Sequence, residues 1–405
     1  MDNILGAKKL ELVHSDIRGP LFYEATDMEK HGIKVLKLNT GNPASFGFKM
    51  PDTIHNTLKE QLERGVGYCD FRGMKDAREA IVEYHSARGI TGLDIDDVFI
   101  GNGVSEVVGF ALQALLDPND EVLVPAPCYS LWNNSVHLCG AKPIFYVCDE
   151  SSDWYPDVKD IKSKITAKTK AIVIINPNNP TGALYSDGIL REIADVARKN
   201  NLLIFSDEIY DRLVMDGEVH TSIAALAPDV PTVTMNGLSK SHCLCGFRCG
   251  WMVLSGPKIL TEKYRQNLIK LTSLRLCANA LSQIIIPTAL ADAETPASMV
   301  RPGGRIFEQR EVTLQELSKI PSLSFVKNKA AFYVFPKLDI KKLNITDDRK
   351  FARDLLHATN ILIVPGSGFA WHEPDHFRIV MLPEVSILKD AVHRLGEFLD
   401  GYRQN

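Results

Sequence analysis

Along the chain, short and nearly continuous apolar runs alternate with longer stretches in which apolar residues recur every three or four positions. The runs at 98–100, 121–124, 142–147, 171–175, 202–205, 232–235 and 250–254 are mostly apolar throughout. Strands that are covered on both faces of a sheet read this way. The stretches between them, 105–116 and 187–199 among them, carry the helical period. Strand and helix in alternation predict an α/β fold: a doubly wound, mostly parallel, seven-stranded sheet spanning 48–290. Beyond the breaker Arg301-Pro302-Gly303-Gly304 the pattern changes. Helical stretches at 304–320 and 347–359 and strand-like runs at 332–335, 361–364 and 377–380 predict a smaller α+β domain. That domain is expected to combine 291–405 with the N-terminal residues 1–47.

Length agrees with this division, since 405 residues at about 150 per domain give two to three units. Lys and Arg number 46 against 50 Asp and Glu, a net charge of −4, which argues against a broad basic face for nucleic acid or anionic membrane. With 45% hydrophobic and 24% charged residues the chain is neither disordered nor fibrous. No apolar stretch approaches the roughly 20 residues that span a bilayer. The N-terminus lacks the basic-then-apolar order of a signal peptide. Eight cysteines in such a chain point to free thiols in a reducing cytoplasm.

In open α/β sheets, ligands bind beyond the carboxyl ends of the strands, and chemistry concentrates there. Asn176-Pro177-Asn178-Asn179-Pro180-Thr181-Gly182 follows the run at 171–175, and Ser206-Asp207-Glu208-Ile209-Tyr210 follows that at 202–205. Asn236-Gly237-Leu238-Ser239-Lys240 follows the run at 232–235, with Arg248 eight residues after the lysine. Three strands thus carry an amide, a carboxylate with a phenol, and an amine with a guanidinium to one edge. Each residue also has a bland reading: Lys240 as a surface lysine, Asp207 as a helix cap, Tyr210 or Asn179 as turn chemistry. Gly101-Asn102-Gly103-Val104-Ser105 stands between a strand and a helix, a setting that binds phosphate through backbone N–H groups. The same loop begins like a dinucleotide fingerprint, but Glu106 occupies the third glycine position, which weakens a nicotinamide reading.

Taken in order, these motifs resemble the pyridoxal-phosphate aminotransferases of fold type I, class I/II. The resemblance runs from Gly41-Asn42-Pro43 to the Arg378 region. Phrases such as Asp16-Ile17-Arg18-Gly19-Pro20 and Gly67-Tyr68-Cys69-Asp70 look nearest to the bacterial glutamate–pyruvate (alanine) group. It implies Lys240 as the catalytic amine, which forms a Schiff base with the cofactor and shuttles the Cα proton. Asp207 would sit at the pyridine nitrogen, ahead of its neighbour Glu208, with Asn179 and Tyr210 at the phenolic oxygen. Gly103, Val104, Ser105, Ser239 and Arg248 would hold the phosphate. Tyr129 would stack on the ring, with Trp132 as competitor, and Tyr68 would reach the phosphate of a second subunit, implying a homodimer. Relatives often carry a phosphate-binding serine three residues before the lysine, where this chain has Gly237.

For substrate, the resemblance implies Gly41, Asn179 and Arg378, the last as the bidentate partner of the α-carboxylate. An arginine paired structurally with Asp or Glu is the plain alternative. Arg18 and Arg275 are candidates for a second substrate carboxylate from spacing alone, and a surface or ion-pair arginine is the plainer reading of either. The implied reaction moves an amino group between L-alanine and 2-oxoglutarate by a ping-pong route. Other amino-acid transaminases and a β-lyase share the pattern, and a ligand sensor on the same fold is a further rival. Cys243, Cys245 and Cys249 with His242 lack zinc spacing, so no metal is expected. Gly366-Ser367-Gly368 fails the nucleophile-elbow pattern.

Overall fold

The computed structural model describes residues 4–405. Its large sheet has eight strands: β1 (Val98–Asn102), β2 (Glu121–Ala126), β3 (Lys142–Asp149), β4 (Tyr155–Pro156), β5 (Thr169–Ile175), β6 (Leu203–Asp207), β7 (Thr232–Gly237) and β8 (Cys249–Ser255). They lie in the order β1-β8-β7-β6-β5-β2-β3-β4. The five strands β2, β3, β5, β6 and β7 are parallel. Antiparallel β8 is inserted between β7 and β1. All seven expected strands are present; the eighth, β4, is a two-residue edge pairing with β3, too short to leave a periodic signal.

Every position of β6, β7 and β8 is buried, which explains why they read as continuous apolar runs. Alternation survives in which core each residue enters. Ile172 and Ile174 of β5 face one helical layer with Leu190, Ile193 and Ala197 of the helix Asp187–Asn200. Ala171, Val173 and Ile175 face the other, against Val107, Val108 and Leu112 of the helix Val104–Leu115. Each such buried aliphatic side chain contributes roughly 1.5–3 kcal/mol. Asn201 in the left-handed region (φ 51°) stops the helix Asp187–Asn200 and turns the chain into β6.

The C-terminal residues form a second core. Tyr333–Val334, Phe377–Val380 and Val364–Pro365 make a three-stranded antiparallel sheet. The helices Arg305–Leu317, Asp348–Thr359 and Val385–Gly401 pack over it. Asp347 caps the second of these by accepting from the N–H groups of Arg349 and Lys350. The apolar run at 361–364 is split: Ile361–Leu362 pairs in parallel with Leu36–Lys37 near the N-terminus, and Val364–Pro365 pairs with Phe377–Val380. Val364 lies opposite Arg378 in that register. These pairings tie both ends of the chain together beside the large sheet.

Candidate active site

Between the parallel neighbours β2 and β5 the order of successive strands across the sheet reverses, the switch point at which an open α/β sheet makes its ligand crevice. A cavity of about 630 Å³ opens over the carboxyl ends of β5, β6 and β7. Its floor includes Asp207 at the end of β6 and Asn179 in the loop after β5. Lys240 enters from the four-residue helix Leu238–Ser241 that follows β7 directly. Gly41, Tyr210 and Arg378 complete the side facing the smaller core. Residues up to 363 apart in sequence, Ser15 and Arg378, therefore meet around one space.

Lys240 donates to the carbonyl of Gly41 at 2.7 Å and lies 3.8 Å from Sγ of Cys245. Burial pulls its ammonium pKa down, but Tyr333, Cys245 and Tyr129 around it outweigh that, and the net direction is upward. The amine is therefore held as a cation at neutral pH. Asp207 is pushed the other way. Burial raises its carboxyl to about 6, against hydrogen bonds from Trp132 and the Ile209 backbone and the nearby Lys240 charge, all of which lower it. Such a carboxylate is poised to take a cationic or proton-sharing partner from the cavity.

Arg378 is 1% exposed, and its partners are neutral. Nη1 donates to Oδ1 of Asn179 at 2.8 Å, Nη2 donates to the carbonyl of Asn39, and Nε has no partner. Its guanidinium lies over the rings of Tyr333 (4.5 Å) and Phe369 (4.7 Å). Structural pairing with Asp or Glu, the plain alternative, is not what the fold provides. A buried cation with only neutral partners is an anion-binding group.

At the opposite end, Val104 and Ser105 open the helix Val104–Leu115 and line the cavity, so its unsatisfied N–H groups point there. Gly103 supports the turn with φ +83°, and a Cβ there would collide with the guanidinium of Arg248. Arg248, itself at φ 54°, contacts only the carbonyls of Cys245 (3.0 Å) and Asn102 (3.4 Å). Ser239 and Tyr129 also line the space. Gly237 is explained sterically: a Cβ there would sit 2.6 Å from the carbonyl oxygen of Cys249, so a serine does not fit as β7 and β8 pack. Ser239, two residues on, is the hydroxyl that reaches the cavity.

The surroundings of several residues decide between readings that the sequence left open. Arg275 does not line the cavity; it pairs with Glu106 and donates to the carbonyls of Phe71 and Ile100. Arg18 does line it. Glu106, in turn, accepts from the backbone N–H and side-chain amide of Asn102 within that turn, and its charge there is balanced by Arg275. Trp132 is no competitor for the stacking place, because it is fully buried with its indole N–H directed to Asp207 at 3.1 Å. Tyr68 is 83% exposed and outside this chain's cavity. Sequence reasoning missed Tyr333, whose hydroxyl meets that of Tyr210 at 2.8 Å. A polar-tipped aromatic inside the apolar run at 332–335 was the available signal. Cys243 and Cys249 are buried, with thiols pushed up to about 12 by burial. Among the described residues, no group of three His, Cys, Asp or Glu is arranged to hold a metal ion.

A doubly wound sheet that brings an amine, a buried carboxylate and an anion-seeking arginine to one cavity defines an enzyme of amino-group chemistry. The family model for aminotransferase class I and II matches residues 33–395, and the chain belongs to that family. It is 53% identical to the glutamate-pyruvate aminotransferase AlaA of Haemophilus influenzae over 98% of each chain. It is 46% identical to an alanine aminotransferase of Mycobacterium bovis over 98% of this chain and 92% of that one. Among solved structures, an aminotransferase from Escherichia coli superposes with a TM-score of 0.98 at 50% identity, covering all of both chains.

Proposed function

We propose that the protein is a pyridoxal-phosphate-dependent aminotransferase that exchanges an amino group between L-alanine and 2-oxoglutarate, giving pyruvate and L-glutamate. The single observation that carries the reading is the neutral-partnered, buried Arg378 on the same cavity as Lys240 and Asp207. Relatives named for the glutamate–pyruvate and alanine reactions, at 46–53% identity over nearly the full chain, support this substrate pair over a β-lyase.

The donor set fits the cofactor. A helix N-terminus and an arginine held only by carbonyls suit a phosphate, and a buried carboxylate at about 6 suits a pyridinium nitrogen. Pyridoxal phosphate, when bound, supplies an aldehyde that takes up the amino group and a ring that draws electrons from Cα. Lys240, once its amine is neutral, would be the base placed to take the substrate's Cα proton and return it. Asp207 would hold the ring nitrogen in its protonated form. Asn179 and Tyr210 would hydrogen-bond the phenolic oxygen, and Tyr129 would cover the ring face. Gly103, Val104, Ser105, Ser239 and Arg248 retain the phosphate. Arg378 fixes the substrate carboxylate, with Gly41 leaving room beside it. Arg18 is the group available for the second carboxylate of glutamate.

In this reading 48–290 forms the cofactor domain, and 1–47 with 291–405 the smaller one. A homodimer is supported by the exposed apolar side chains of Val66, Tyr68, Leu274 and Leu276 (82%, 83%, 83% and 54%). Tyr68 would then serve the cavity of the second subunit. Eight free cysteines fit a cytoplasmic setting, and no helix among the described residues is long and apolar enough to cross a membrane.

Purified protein given pyridoxal phosphate is expected to hold one cofactor per chain with visible absorbance altered by Lys240→Ala. Pyruvate, followed by a coupled lactate dehydrogenase assay, should appear from alanine only when 2-oxoglutarate is present. Pyruvate formation without an oxo-acid acceptor would instead indicate a lyase.

A further inference from the structure

Asp207 is expected to meet the cofactor ring, and one neighbour of it has no assigned part. Trp132 lies in the helix Leu131–Leu138, fully buried in the core beneath the cavity, 5.8 Å from the ring of Phe205. Its Nε1–H donates to Oδ2 of Asp207 at 3.1 Å, joining residues 75 apart in sequence. The other oxygen, Oδ1, accepts from the backbone N–H of Ile209 at 3.3 Å. Both oxygens are thereby pinned while the carboxylate still faces the cavity. Among the titratable groups around it, Lys240 favours its charge, while Tyr210 is the neighbouring phenol. Glu208 is directed elsewhere, to the hydroxyls of Ser206 and Ser222.

We propose that Trp132 is a positioning residue for the cofactor reaction, holding Asp207 as an oriented carboxylate toward the ring nitrogen through its indole N–H. The inference rests on the reading of Asp207 given above. An indole nitrogen donates and never accepts, so it stabilises the ionised carboxylate more than the neutral acid and keeps Oδ2 from carrying the proton. Burial alone drives Asp207 toward the neutral acid; the indole opposes that drive. A hydrogen bond to a charged group is worth about one tenfold step or more, equivalent to about one pH unit of the acid's midpoint.

The readout is cofactor retention. Holoenzyme dialysed between pH 5 and 9 is followed by visible absorbance and bound phosphate. Retention should fall on the acid side as Asp207 becomes protonated, with a contribution near pH 6. In Trp132→Phe this limb should move upward by about one pH unit. The cofactor's own phosphate titrates equally in both proteins, so the difference isolates Asp207. Phe205→Leu loosens the same core without removing the N–H, and it should keep the wild-type limb. An equal shift in Phe205→Leu, or no shift in Trp132→Phe, overturns the proposal. Asp207→Asn cannot titrate and should lose the limb altogether; if it instead retains cofactor as the wild type does, the reading of Asp207 itself fails. Should Trp132→Phe not fold, one indole N–H resonance of ¹⁵N-tryptophan-labelled, cofactor-free wild type should shift with a midpoint near pH 6 and stay fixed in Asp207→Asn. The absence of any such resonance contradicts the bond.

Discussion

Nη1 of Arg378 donates to Oδ1 of Asn179 at 2.8 Å, joining residues 199 apart and linking the loop after β5 to a strand of the smaller sheet. The amide thus orients the arginine that receives substrate. Asn179→Ala should raise KM for both alanine and 2-oxoglutarate about tenfold, the loss expected for one hydrogen bond to a charged group. Steady-state kinetics at saturating cofactor provide the check; unchanged KM values would show that the contact does not matter for substrate.

Arg378→Lys keeps the charge but removes the planar fork, and it leaves the Asn39 carbonyl and Asn179 unequally served. Substrate KM should rise by about 10- to 100-fold. Cofactor content, read from visible absorbance, should remain that of the wild type, because no phosphate-holding residue is touched.

Two arginines that spacing could not separate are separated by their surroundings. Arg18 lines the cavity, while Arg275 is bound to Glu106. Arg18→Ala should lower kcat/KM for glutamate and 2-oxoglutarate several-fold more than for alanine and pyruvate. Arg275→Ala should leave that ratio unchanged and lower the melting temperature instead, at a cost of about 1–3 kcal/mol for the stranded carboxylate.

Asp207 carries a stability consequence in the cofactor-free protein. Its carboxyl titrates near 6 in the fold, against about 3.9 in an unfolded chain. The folded state binds the proton more tightly, so this group costs nothing below about pH 4 and destabilises progressively as pH rises to about 6. The full cost is roughly 3 kcal/mol, by the 1.36 kcal/mol per pKa unit. Asp207→Asn should therefore raise the melting temperature of cofactor-free protein at pH 7–8 and leave it nearly unchanged at pH 4. Equal melting curves at both pH values would contradict the buried-carboxylate account. Bound cofactor should reverse the ranking at neutral pH, since only the wild type gains its partner.

Much of this arrangement was legible in the sequence for a physical reason. Strands buried on both faces write themselves as apolar runs, and the loops at their carboxyl ends carry Asn179, Asp207 and Lys240 at fixed offsets. What escaped was set by contacts between distant segments. The run at 361–364 reads as one strand, but its two halves pair with different partners, Leu36–Lys37 and Phe377–Val380. Tyr333 meets Tyr210 across 123 residues; its polar tip within the run at 332–335 marks the residue but not its partner. Trp132, three residues after Tyr129, reads either as a competitor for the stacking place or as a core residue, and it is a core residue. Its indole instead turns under the sheet to Asp207. Arg18 and Arg275 differ only in what the fold brings beside them.

The central claim is transfer of nitrogen between two carbon skeletons that depends on Lys240, and isotope labelling tests it most directly. With ¹⁵N-alanine and unlabelled 2-oxoglutarate, the wild type should produce ¹⁵N-glutamate and pyruvate in equal amounts, and Lys240→Ala should produce neither. Label released as ammonia, or label appearing in glutamate at the wild-type rate in Lys240→Ala, would contradict the account.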